Sequence, residues 1–163
     1  MLTNITVFAL NNNYAKTVAN HLADELEMFF ADVMELLTFD LINIVEATEL
    51  TGKDYVLRKE QSKIKTVSTY ENTIISCDYR SLNNEVNYEN LHAGSVMVYL
   101  KLNADALKKV NLEYRENNNI ELFSDVRMEL LEEKADVVCE VSNMDISQAC
   151  DYVMEQIQKY YEK

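Results

Sequence analysis

The sequence predicts a parallel α/β sheet with helices on both faces, and three observations carry that prediction. Ile5–Ala9, Phe29–Ala31, Ile74–Ser76, Val96–Leu102 and Val137–Val141 are short continuous apolar runs, the length of strands buried on both sides. Between them the apolar residues recur at i, i+3 and i+4, the period of amphipathic helices. Strands that alternate with helices are joined by right-handed crossovers, which set neighbouring strands parallel. No repeat and no linker interrupts the pattern, so residues 1–163 are expected to form a single domain.

The elements follow in order. Ile5-Thr6-Val7-Phe8-Ala9-Leu10 is broken by Asn11-Asn12-Asn13, turn and cap residues. From Tyr14 a helix is marked by Ala15, Val18, Ala19, Leu22, Ala23 and Leu26, and Met28-Phe29-Phe30-Ala31 reads as the next strand, ending at Asp32. Met34, Leu37, Leu41, Ile44 and Val45 give a second helix, closing near Thr51-Gly52. Tyr55 to Val67 forms a third, carrying Arg58, Lys59, Lys63 and Lys65, and Thr73 to Cys77 is a central strand. Asp78 to Gly94 is polar and reads as loop with a short helix. After the strand at Ser95 to Leu102, Asn103 caps a helix over Ala104 to Val110, and Asn111 to Leu122 is expected as surface loop. Phe123, Val126, Leu130 and Leu131 mark another helix, and Asp145 opens a last one with Ile146, Ala149, Cys150, Val153, Ile157 and Tyr160 on one face.

Composition excludes several classes of function. A formal charge of −13 argues against nucleic acid and anionic membranes, both of which select basic faces. No stretch reaches the roughly 18 apolar residues of a membrane span, and the N-terminus has no basic region followed by an apolar run, so a soluble cytoplasmic protein is expected. Cys77, Cys139 and Cys150 form no CxxC pair and read as buried apolar residues, and His21 and His92 lack a partner pattern for metal or catalysis. No metal site is expected.

The stretch from Asn4 to Asp32, strand, tight loop, helix and strand, has the layout in which a phosphate-binding loop opens a helix. Such loops use several glycines so that backbone N–H groups can converge on the anion. Only Gly52 and Gly94 occur in this chain, and neither lies between a strand and a helix in that manner.

The order of motifs resembles the shikimate kinase family along nearly the whole chain. Thr17-Val18-Ala19-Asn20-His21-Leu22-Ala23 stands where the family has a Thr-Val-Gly-Arg-x-Leu-Ala helix. Phe30-Ala31-Asp32-Val33-Met34-Glu35-Leu36 stands on its Phe-x-Asp-x-Asp segment, and Leu57-Arg58 on its Phe-Arg pair. Arg127 to Val138 is similar to its Arg-x-x-Leu-Tyr-x-x-x-Ala-Asp run. The resemblance implies a five-stranded parallel sheet of the P-loop nucleoside-monophosphate-kinase type.

The departures fall on the chemistry. Without gaps, the family's Gly-x-x-Gly-x-Gly-Lys-Ser-Thr loop becomes Ala9-Leu10-Asn11-Asn12-Asn13-Tyr14-Ala15-Lys16-Thr17. Ala9, Asn12 and Tyr14 replace the glycines, and Ala15 replaces the lysine. A one-residue slip makes Lys16-Thr17 the Lys-Thr pair, with Leu10, Asn13 and Ala15 for glycines; only then would ATP and magnesium be expected as cofactors. Asp32 stands on a position that helps organise magnesium in the family, and also reads as a helix cap. Met34 replaces the aspartate that holds substrate hydroxyls, Cys77-Asp78-Tyr79 falls near a lost triple glycine, and Arg115 is the sole arginine of an asparagine-rich lid between Leu107 and Phe123. Arg58 and Arg127 stand on the two arginines that grip the substrate carboxylate; they also read as structural ion pairs.

Three functions remain open at the level of sequence. The first is a family member without ATP binding or phosphotransfer, serving as an interaction or regulatory module with an unidentified protein partner. The second is a binder of a small carboxylic acid through Arg58 and Arg127. The third is an active kinase with a divergent loop.

Overall fold

A computed structural model describes residues 4–41, 49–50, 52–115 and 128–163. Five parallel strands lie in the order β2-β3-β1-β4-β5: β1 Asn4–Ala9, β2 Phe29–Asp32, β3 Thr73–Ser76, β4 Ser95–Lys101 and β5 Val137–Glu140. The helices are α1 Asn12–Leu26, α2 Val33–Leu41, α3 Lys53–Val67, α4 Glu85–Gly94, α5 Ala104–Glu113, α6 Met128–Glu133 and α7 Ile146–Tyr161, with a 3₁₀ segment at Tyr79–Asn83. β1 sits between β3 and β4, so the chain switches direction across the sheet at its C-terminal end. That is the crevice where open parallel sheets receive ligands.

Strand alternation sorts the core onto two faces. Ile5, Val7 and Ala9 join Val98 and Leu100 under α1 and α7, where Val18, Leu22, Val153 and Ile157 are buried. Phe8, Ile75, Met97 and Tyr99 point the other way, to Ile64 and Val67 of α3, Leu91 of α4 and Leu131 of α6. The runs are continuously apolar because each strand is covered twice.

Four sequence expectations change. Asn12 and Asn13 lie inside α1 instead of in a loop, since only Asn11 caps it. Gly52, expected only as the close of a helix, stands at φ 88° as the N-cap of α3, just after helical Glu49 and Leu50, and its backbone conformation is one that glycine permits. α5 extends to Glu113, so Asn111 to Glu113 are helical. Asp78 to Gly94 is mostly regular: Asp78 caps the 3₁₀ segment and Asn84 caps α4 through Asn87 N–H. Ile44, Val45, Phe123, Val126 and most of the expected lid lie outside the described residues. Among the described residues no helix is long and apolar enough to cross a membrane.

Candidate functional site

Only Leu10 and Asn11 separate β1 from α1. Asn11 is extended (φ −114°, ψ 115°), its Oδ1 accepts from Tyr14 N–H at 2.9 Å, and its carbonyl accepts from Ala15 N–H at 3.1 Å. Its Nδ2 donates to Asn111 Oδ1 at 3.0 Å and to the Tyr114 carbonyl at 2.8 Å. Asn13 Nδ2 reaches the Arg115 carbonyl at 2.8 Å, and Asn12 Oδ1 accepts from Tyr79 N–H at 3.1 Å. The asparagines thus tie the end of α5 and the start of the 3₁₀ segment to the entrance of α1. A phosphate nest turns successive N–H groups inward by alternating left- and right-handed residues. Among the described residues only Glu27, Asn72 and Gly52 have positive φ, so residues 9–17 contain no such alternation.

Ala9 and Ala15 are fully buried, and Tyr14 is nearly so. The Tyr14 ring packs edge-on against Tyr114 at 5.7 Å between centroids, and burial pushes its phenol pKa up to about 12. Tyr14 forms the inner wall of an open cavity of about 580 Å³ between α5 and the β5–α7 connection. Among the described residues, Asp105, Glu113 and Asp145 line that cavity against a single cation, Lys109.

Lys16 turns away to pair with Glu35 of α2 at 3.2 Å, both side chains well exposed. Thr17 Oγ1 donates back to the Asn13 carbonyl within the helix. Asp32, at the end of β2, accepts from Ser76 Oγ at 2.5 Å and from Glu35 N–H at 2.9 Å. It therefore cross-links β2 to β3 and caps α2. Desolvation raises its pKa, against the lowering effect of those two hydrogen bonds.

Arg58 is exposed on α3, and Arg127 lies outside the described residues, as does the expected pairing of the two. The buried arginine is one the sequence reading missed. Arg80 donates from Nε to Asp78 Oδ1 at 2.8 Å and from a terminal nitrogen to Asp78 Oδ2 at 2.5 Å. Nearby, Glu60 is only 2 % exposed and accepts from Ser81 Oγ at 2.9 Å. Burial pushes its pKa up to about 8; Ser81 and Arg80 lower it and Asp78 raises it. Glu60 was findable in the sequence, because it interrupts the apolar stripe Val56, Ile64, Val67 of α3. Arg80 carried no such signal. Cys77, Cys139 and Cys150 are buried and free. His21 pairs with Glu25 one turn on, and His92 with Asp136. No group of metal-ligating side chains occurs among the described residues.

The strand order and the crevice beside β1 define a P-loop kinase-type α/β fold. A sequence model described as shikimate kinase matches residues 16–158, and the chain belongs to the shikimate kinase family. The match begins at Lys16, within α1. No curated protein matches the chain significantly. Among solved structures, it is similar to the shikimate kinase from Acinetobacter baumannii in complex with shikimate (19 % identity, 100 % of this chain and 97 % of that one, TM-score 0.83). It also resembles the shikimate kinases from Aquifex aeolicus (17 %, 97 % and 98 %, TM-score 0.76) and Bacteroides thetaiotaomicron (17 %, 100 % of each, TM-score 0.76). At these identities the likeness is one of fold.

Proposed function

We propose that this shikimate kinase-family protein has lost ATP binding and phosphotransfer and serves as a non-catalytic interaction or regulatory module. The observation that carries the reading is the entrance of α1. The helix begins at Asn12, within the stretch where a phosphate loop would still be open, and Asn11 closes on the Tyr14 N–H that would face an anion. Phosphoryl transfer depends on positioning and on charge stabilisation of the transferring group. Here Ala15 stands in the lysine position and Lys16 is paired with Glu35. The adjoining cavity, with three carboxylates against one lysine, repels a polyphosphate.

A second reading, binding of a small carboxylic acid, draws on the exposed guanidinium of Arg58 and on the shikimate held by the Acinetobacter relative. Titration calorimetry with shikimate, with and without ATP and magnesium, separates the readings. The non-catalytic module gives no heat with either compound. Heat with shikimate alone, lost in Arg58→Ala, favours the acid binder. Saturable heat with ATP overturns the proposal.

A further inference from the structure

A second cavity, of about 220 Å³, opens between α3 and the 3₁₀–α4 segment. It is lined by Leu57 and Glu60 on one side and by Arg80, Ser81, Asn84 and Asn87 on the other. Its charges do not balance. Arg80 is held by both oxygens of Asp78, and among the described residues no cation is paired with Glu60. Among the described residues, Ser81 supplies the one hydrogen bond to Glu60. Asn87 is also 2 % exposed; its Nδ2 is fixed on the Ser81 carbonyl at 3.1 Å, and its Oδ1 has no partner among the described residues. Because Nδ2 already faces a carbonyl, rotating the amide would only oppose two acceptors.

A buried acceptor left without a donor is costly, and a buried carboxyl group ionises without a cation only at greater cost. Both deficits belong to one cavity, and both are relieved by a group that carries several N–H donors and a positive charge. We propose that this cavity binds a small primary ammonium ligand, whose N–H groups are received by the Glu60 carboxylate and Asn87 Oδ1 while Leu57 covers its alkyl stem. The site takes a cation, opposite in charge to an acid bound by Arg58, and it does not depend on whether ATP is bound.

The burial that raises the Glu60 pKa gives binding a proton signature. With Glu60 protonated in the empty site, taking up the ammonium form releases one proton to solvent. Among the described residues, the charged groups facing Glu60 are Asp78 and Arg80, which are paired with one another.

The test is a thermal-shift titration of the full chain at pH 7 with methylammonium chloride, against tetramethylammonium chloride and sodium chloride at equal ionic strength. The expected result is a saturable rise in melting temperature with methylammonium only. Calorimetry in buffers of different ionisation enthalpy should then detect proton release. Glu60→Gln should abolish the response and Asn87→Leu should weaken it at least tenfold. Independently of any variant, the side-chain amide resonances of Asn87 should shift on titration. Equal responses to all three salts, no response at all, or an unchanged response in a folded Glu60→Gln protein would overturn the proposal.

Discussion

Glu60 is a glutamate on an apolar helix face, and its burial ties stability to pH. Its folded-state pKa lies above the unfolded value, so its neutral form is favoured by folding. Any stability it adds is complete below the unfolded pKa near 4.5 and is lost as pH rises through about 8. Asp32, also raised, acts in the same direction. Glu60→Gln should therefore melt close to the parent at pH 5 and gain on it steadily up to pH 9. The full difference is on the order of 5 kcal/mol, from a rise from 4.5 to about 8 at about 1.4 kcal/mol per pKa unit. Urea midpoints of both proteins across that range check it; a constant offset would refute the assignment. Lys16→Ala is the contrasting residue-scale case. Its pair with Glu35 is exposed, so its loss should cost less than about 1 kcal/mol.

At the scale of elements, the entrance of α1 combines local capping with long-range anchoring. Asn11→Ala removes the cap on Tyr14 and the bonds to Asn111 and Tyr114, a loss of about 2–3 kcal/mol. Hydrogen exchange should show α5 loosening along with α1 in that variant. Leu22→Ala, from the buried face of α1 against β1 and α7, should cost about 2–5 kcal/mol by leaving a cavity, with α5 unaffected locally. The contrast explains what the sequence concealed. Three consecutive asparagines are poor helix formers, so local propensity places them in a loop. Their amides instead bond Asn111, Tyr114, Arg115 and Tyr79, residues more than sixty positions away, and those partners hold Asn12 and Asn13 in the helix. Arg80 was hidden for the same reason, since nothing local marks the residue pair Asp78 and Arg80 as buried.

For the whole molecule, the parallel sheet and its five strands were legible because strands covered on both faces are apolar throughout. The observed strands agree with the expected ones to within a residue or two at each end. Helical periodicity located α1, α3 and α7 because each buries one stripe. Of the candidate site, the sequence showed that no glycine stands between β1 and α1. The long-range bonds of Asn11 and the burial of Arg80 were not legible, because both depend on neighbours that folding brings to them. The central claim is that this filled entrance admits no nucleotide. Its most direct measurement is turnover of radiolabelled ATP with shikimate and magnesium, run beside a thermal-shift titration with ATP. The account predicts no labelled product above the protein-free control and no saturable shift. Turnover that Lys16→Ala abolishes, or a saturable magnesium-dependent shift with ATP, would contradict it.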